Sequence, residues 1–341
     1  MSDASWETLS NQAVAVCGVV YFLALLSHLV EWSALRKLPV SVGSITAPAR
    51  SGAGGAGGVA VAERGPDAEG DIDEDAERRT NLFGRLGLLL TIIAVAVHLV
   101  ALVGRGMAAD PNRVPWGNMY EFTLSGTFFL AAFYLALYRR FSLAWMAPIV
   151  TGLVLVLLMV DVIWLHEEVA PLTEALNSPW LVIHVVSAVI ATGAFTLGGI
   201  GSVLYLLKER AERRGTSGGY LARVPAPAVL DRVSYRMHAF AFPVWTFAVL
   251  ITGPIWAHQA WASYWNWDPK EVWAFITWVV YAGYLHARAT AGWKGRNAAI
   301  LALVGLATLW FNFVGINFFS STSQHSYAEG AGVTHVESTR L

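Results

Sequence analysis

The chain has 341 residues, 55% of them hydrophobic and only 14% charged, with 15 Trp, one Cys and a formal net charge of -1. A soluble domain carries roughly 25% charged residues, so this surface cannot be mostly in water. The soluble classes are excluded, and the near-zero charge excludes a generally basic nucleic-acid binder. Cys17, alone in an apolar run, excludes a disulfide framework, a Cys-x-x-Cys redox centre and a thiolate cluster. Any metal or redox chemistry therefore rests on the nine histidines.

A hydrocarbon core of about 30 Å needs roughly 20 apolar residues per helix. Such runs predict an all-α polytopic membrane protein with eight spans, at 12–30, 86–103, 119–138, 145–164, 181–207, 239–257, 271–287 and 298–319. The first follows a polar Met1–Ser10 that has no Lys or Arg and no small-residue cleavage site. It reads as a retained helix within 1–30 rather than a signal peptide. The connection 31–85 contains a Gly-rich stretch, Ser51–Gly58, and an acidic run, Asp71–Asp75. It is too polar and too Gly-rich to bury a core, and a disordered cytoplasmic linker is expected. Residues 326–341 read as a polar external tail.

Basic residues stay on the cytoplasmic side of a membrane. The connections 31–85, 139–144, 208–238 and 288–297 hold 19 of the 23 Lys and Arg, and the opposite set holds Arg105, Arg113, Lys270 and Arg340. Both termini are therefore expected outside. An odd number of spans breaks this bias.

Between Trp256 and Trp278 lie six of the 15 Trp, on the outward side. Trp at a membrane interface serves as anchoring. Trp261, Trp265 and Trp267, with Tyr264 among them, also make a broad apolar surface suited to stacking a planar aromatic ligand. Both readings stand at this point. Asp268-Pro269-Lys270-Glu271 has the pattern of a capping box, with Asp at the N-cap, Pro at the first helical position and Glu at N3.

The spans assign each histidine a depth. His184 lies just inside the outward end of the fifth span, and His325 follows the outward end of the eighth. His286 lies about 24 Å inward along the seventh span, at 1.5 Å per residue, beside Arg288. One intramembrane His is ordinarily a packed residue. Two beside a Trp surface point instead to axial ligation of haem iron by neutral imidazole. His28 and His98 fit packing roles, His335 a solvated tail, and His258 an interfacial hydrogen bond or a competing ligand.

Trp261-Ala-Ser-Tyr-Trp-Asn-Trp-Asp268-Pro-Lys-Glu271 resembles the tryptophan-rich "WWD" signature of haem-handling proteins. The helix through Leu285-His286-Ala287-Arg288, the segment Asn177-Ser-Pro-Trp-Leu-Val-Ile-His184 and the segment Ser320–Tyr327 around His325 are similar to the CcsA/ResC family of cytochrome c biogenesis. Gly117-Asn118-Met119-Tyr120-Glu121 resembles that family's Asn-Leu-Tyr-Glu motif. The match covers most of 115–330, while the first hundred residues match only in hydrophobic character. His258-Gln259 stands where the family commonly has Asn-Glu, and Gln324 where Leu usually precedes the last histidine.

The resemblance implies a haem-handling domain over 86–325, with its WWD loop at 256–273. It implies that haem b is held outside the cytoplasmic membrane by Trp261, Trp265, Trp267 and Asp268, with His184 and His325 as axial ligands. His286 then belongs to an inner site whose second ligand comes from a ResB/CcsB-like membrane subunit, or from His98. On this reading the chain is a subunit of a System II cytochrome c synthase, a haem lyase complex. Apocytochrome c with a Cys-x-x-Cys-His segment would be the acceptor, served by extracytoplasmic thiol reductants. Alternatives are a CcmC-type carrier without ligation activity, a b-type electron-transfer subunit, and a transporter of some other planar substrate. The carrier is usually shorter, with six spans. The b-type subunit pairs histidines on facing helices across the membrane.

Overall fold

A computed structural model describes residues 2–35, 67–171, 176–216, 219–319 and 323. The long helices are α1 (Asp3–Leu35), α2 (Asp67–Met107), α3 (Met119–Tyr138), α4 (Ala147–Val160), α5 (Pro179–Arg213), α7 (Pro227–Thr246), α9 (Pro269–Ala289) and α10 (Arg296–Trp310). Shorter pieces are α6 (Tyr220–Arg223), α8 (Gly253–Trp261) and α11 (Ile316–Phe319). No strand occurs among the described residues, as the all-α reading expects.

Among the described residues, seven helical stretches are long and apolar enough to cross a membrane. The exception among the eight predicted spans is α9. At 21 residues it is about 31 Å long, sufficient to cross, but Trp, Tyr, Lys and His dilute its hydropathy. The chain is a multi-pass membrane protein.

The first two helices outrun their predicted spans. Part of the predicted linker, 36–66, lies outside the described residues, as do 326–341. The acidic run 71–75, expected in a disordered insert, instead falls within α2. Trp32, also assigned to the linker, packs on Tyr220 with ring centroids 4.0 Å apart.

α1 and α2 form a tight antiparallel pair. Small residues at the seam (Ala13, Cys17, Ala24, Ala94, Ala101) are buried and let the backbones approach. A Cβ on Gly104 would meet Ser10 backbone N and Trp6 O at 3.2 Å. Ser10 Oγ donates to Ala101 O at 2.7 Å. On the opposite faces Val19, Phe22, Leu89, Ile93 and Val103 are exposed, as lipid-facing residues are.

The predicted alternation of ends is reproduced. At one end Glu7 Oε1 accepts from Val169 N, Ser178 Oγ donates to Gln259, and Lys270 Nζ donates to Asn317. At the other, Tyr220 Oη donates to Trp145 O, and Asp231 receives Arg288 and Gly295 N. The first is the Trp-rich end and the second the arginine-rich end.

Among the described residues, three π-turns interrupt the helices: Asp161–Leu165 after α4, Phe247–Thr252 after α7 and Phe311–Gly315 after α10. Such turns concentrate at functional sites, because the widened turn redirects side chains and carbonyls. All three lie toward the Trp-rich end.

Candidate functional site

His184 stands on the second turn of α5. Ser178 caps that helix by accepting from Trp180 N at 3.2 Å, and Pro179 opens it. The hydroxyl of Ser178 also donates to Gln259 Oε1 at 2.7 Å, fixing the helix start against α8. His184 Nδ1 lies 2.9 Å from Ala248 O. A carbonyl only accepts, so Nδ1 is the donor and Nε2 carries the lone pair. This is the tautomer of a metal-ligating imidazole whose other nitrogen is held by the second shell.

Ala248 lies in the π-turn between α7 and α8. Pro254 lacks the N–H that a regular helix would return to Leu250, so the ladder loosens upstream of it. The Ala248 carbonyl accepts from Thr252 Oγ1 at 3.1 Å as well as from His184. The imidazole lies parallel to Trp256, with centroids 6.0 Å apart and 13° between planes. On its other side it meets Gly253, where a Cβ would stand 3.2 Å from the ring.

His184 lines a cavity of about 220 Å³ between α3, α5, α8, α9 and α10. Its wall is mostly apolar, with Phe122, Leu181, Val185, Trp245 and Trp256 among its residues. The polar residues lining it include Lys270 and Glu271 from α9, with Asn312 and Asn317. Asn312 is buried and its Oδ1 has no hydrogen-bond partner. An apolar cavity with a few polar groups is the usual form of a small-molecule site.

The capping box predicted at Asp268 is present. Asp268 Oδ1 accepts from Lys270 N at 2.9 Å, and Glu271 Oε2 accepts from Asp268 N at 3.1 Å and Asn266 N at 2.9 Å. Glu271 thus grips the backbone on both sides of Trp267, whose φ of +57° is unfavourable for so large a residue. Replacing Asp268 by alanine is expected to cost about 1 kcal/mol through lost capping. Thermal unfolding checks this, with Asp268→Asn retaining most of the stability.

The tryptophans do not form one continuous plane. Trp261 packs edge-on against Trp256 at 4.9 Å, within the cluster of Trp116, Leu181 and Val185. Trp265 and Trp267 meet at 87°, and Trp267 is 72% exposed. The loop therefore offers separate ring faces, with Trp256 and not Trp267 reaching the cavity.

The other histidines divide sharply. His325 lies outside the described residues, but Ser323, two residues before it, donates to Asp268 Oδ1 at 2.8 Å. His258 is exposed and stacks on Tyr264 at 4.2 Å. His286 is exposed on the face of α9, while Arg288 beside it is clamped by Asp231 through bonds of 2.6 and 3.1 Å. His98 is fully buried among α1, α2 and α3, against Tyr21 and Phe128. It is packed in a different part of the bundle from His286. No group of three or more His, Cys, Asp or Glu is placed to hold a metal among the described residues.

Residues 116–323 match the sequence model of the "Cytochrome C assembly protein" family. The chain belongs to that family. Among similar proteins is the "Cytochrome c biogenesis protein CcsA" of Mesostigma viride, 31% identical over 269 residues, covering 72% of this chain and 86% of the relative. CcsA of Guillardia theta is 34% identical over 260 residues, covering 71% and 85%. A solved structure, "Cytochrome c Heme Lyase CcmF", shares the fold with a TM-score of 0.54 at 15% identity. It aligns to 92% of this chain, which spans 46% of that larger one.

The family match begins at Trp116, so α1 and α2 lie wholly before it. Within the matched region, sequence reasoning missed Trp256 as a cavity residue, and Lys270, Asn312 and Asn317 as its polar lining. It also missed His238, fully buried between α5, α7 and α9. A polar residue inside a predicted span was the available signal for Asn312, whereas His238 falls in the predicted connection 208–238 and had none.

Proposed function

We propose that this chain is the haem-presenting subunit of a membrane-bound System II cytochrome c synthase, with haem b as its substrate. The observation that carries the proposal is His184, held as the Nε2-ligating tautomer by Ala248 O at the wall of an aromatic cavity beneath the WWD loop. The cavity chemistry fits a planar apolar macrocycle with polar substituents, and the unpartnered Asn312 oxygen is a further polar contact for one. The names of the CcsA relatives agree with a role in cytochrome c biogenesis.

In this reading the Trp-rich end faces outside the cytoplasmic membrane, supported by the 19 of 23 basic residues in the opposite connections. His184 and His325 are the outer axial ligands, and Ser323 bound to Asp268 brings the chain before His325 to the loop. Trp261, Trp265 and Trp267 supply ring faces, and Asp268 fixes the loop that carries them. Cys17 is buried in α1, so the thiols that join the haem vinyl groups come from apocytochrome c. The protein's part is orientation and control of the iron. His286, exposed on α9, is a ligand of the inner site. Its second imidazole comes from a ResB/CcsB-like subunit, because His98 is packed elsewhere. External thiol reductants keep the acceptor cysteines reduced.

The test is the reduced haem spectrum of the chain purified with its partner, for His184→Ala, His325→Ala and His286→Ala. Removing a second-shell partner alone costs about 10–100-fold in metal affinity, so losing a ligand is expected to cost at least that. Exogenous imidazole should restore the spectrum of the outer-site variants. Wild-type haem content and cytochrome maturation in both outer variants, with imidazole excluded, overturns the assignment.

A further inference from the structure

We infer that the groove between α5 and α10 at the arginine-rich end binds the phosphate headgroup of an anionic phospholipid. The groove, about 390 Å³ in volume, is lined by Arg210, Arg213 and Arg214 of α5 and Arg296 of α10, with Leu206 and Ile300 as its aliphatic wall. Glu209 is the one acidic residue lining it among the described residues, and it pairs with Arg213 at 3.5 Å. Glu212, next along α5, pairs with Lys208 at 3.7 Å. Asp231, close to the start of α10, is held by Arg288 and by Gly295 N. Arg210, Arg214 and Arg296 have no ion-pair partner among the described residues, so the groove keeps an excess of positive charge.

Basic residues collect at one end of most membrane proteins, and their presence alone marks no site. This groove differs in how the helix faces lead into it. On α5, Val203, Leu206, Leu207 and Arg210 fall at helical spacing on one face, which Arg213 and Arg214 extend by a turn. On α10, which runs the opposite way, Arg296, Ile300 and Val304 share a face in the same manner. Val203, Leu207, Ile300 and Val304 are between 42% and 48% exposed. Each helix thus carries an exposed aliphatic stripe that ends in arginine, and the two stripes end at the same groove. Trp293, exposed just before α10, is a residue type that sits at the membrane–water interface.

A soluble anion would use the arginines alone. A phospholipid uses both parts of the surface, with phosphate oxygens on the guanidinium groups and acyl chains along the stripes. The two helices are in direct contact beside the groove, since a Cβ on Gly295 would stand 2.5 Å from the Tyr205 hydroxyl. A headgroup bridging Arg210 and Arg214 to Arg296 therefore ties together two helices already in contact.

The test places the purified full chain in mixed micelles of phosphatidylcholine and phosphatidylglycerol and counts bound lipid by native mass spectrometry. Wild type should prefer phosphatidylglycerol. Each of Arg210→Gln, Arg214→Gln and Arg296→Gln should lower that preference about fivefold, the scale of one basic residue's attraction to an anionic lipid surface. Phosphatidylglycerol should also raise the melting temperature of wild type and not that of the triple variant. In phosphatidylcholine alone the two should melt together, because the three side chains are exposed, and this shows that the variant is folded. Arg139→Gln/Arg140→Gln removes exposed charge from the connection after α3 at the same end, and should keep the wild-type preference. An equal loss per charge in that variant would mean general attraction to a basic end and would overturn the groove. Displacement of the lipid by millimolar glycerol phosphate would assign the groove to a soluble phosphate and overturn the lipid reading. Groove variants that retain the wild-type preference overturn it as well.

Discussion

Replacing Glu121 by alanine is expected to cost about 3–5 kcal/mol and to disorder the Trp-rich end of the first four helices. Glu121 and Arg105 are both fully buried. Arg105 Nε donates to Glu121 Oε1 at 3.1 Å, and Arg113 Nη1 donates to Oε2 at 2.6 Å. Gly117 N donates to the same Oε2 at 2.6 Å, and Asn118 caps α3 by accepting from Glu121 N. One carboxylate therefore pairs with two guanidinium groups and closes a turn. Arg105 also reaches Glu7 at 3.4 Å and the carbonyl of Glu167, so the cluster joins α1, α2, α3 and the segment after α4. Without Glu121, Arg105 is left buried with the partly exposed Glu7 as its remaining ion-pair partner among the described residues. Removing one partner of a buried pair costs far more than the pair contributes, because the survivor keeps its desolvation penalty.

Thermal unfolding in detergent, followed through tryptophan near-UV dichroism, tests this directly. Glu121→Gln should fall between wild type and alanine, since it keeps an acceptor but loses the charge. Glu7→Ala should cost less than Glu121→Ala, because Glu7 is partly exposed and Arg105 keeps its bond to Glu121. An alanine variant that melts with wild type would show that the cluster contributes no net stability. The prediction also separates structure from chemistry. The Asn-Met-Tyr-Glu motif lies beside the cavity, through Met119 and Phe122, yet its glutamate points into a charge cluster.

What the sequence made legible follows from what periodicity and charge encode. Span positions, the alternation of ends and the Asp268 capping box all depend on local pattern, and all reappear. The hidden parts are those decided by tertiary contact. Nothing in Phe247–Thr252 marks a π-turn, because its sequence is that of an ordinary apolar helix and the turn arises from Pro254 downstream. The Ala248 carbonyl that fixes His184 was therefore invisible. The tryptophans were legible as a cluster but not as rings at 87°, since a loop's side-chain directions are set by its backbone. The hydropathy of α9 fell short for a related reason. Its Trp, Tyr and His are arranged for packing and for the site, at the expense of aliphatic content. Composition places acidic residues 71–75 in the linker, and the helix of α2 nevertheless includes them.

Gly198→Ala should separate α5 from α7 and thereby weaken the hold on His184, some four turns away along α5. A Cβ at Gly198 would lie 2.5 Å from His238 Cε1 and 2.7 Å from Nδ1, distances that a packed ring cannot tolerate. The ring has no room to turn aside. His238 Nδ1 donates to Ser234 O at 2.6 Å, and Phe195, Tyr281 and Tyr284 enclose it. Around it, Ser234 Oγ donates to Gly198 O at 2.8 Å, and the Ser202 and Ser234 hydroxyls lie 2.7 Å apart. Small residues and shared hydroxyls make this seam as close as two backbones allow. Overpacking such a seam costs about 1–3 kcal/mol, relieved only by moving one helix. Because α5 carries His184 while α7 leads into the π-turn that carries Ala248, that movement lengthens the 2.9 Å bond between them. Haem affinity should then fall together with stability. The diagnostic measurement is the Gly198→Ala/His238→Ala double variant, in which the ring is absent and the methyl group has space. Its stability should exceed the sum of the single losses by about 0.5–3 kcal/mol, with haem affinity recovering in parallel. Strictly additive losses would instead mean that His238 and Gly198 act on different parts of the bundle, and that the seam does not set the position of His184.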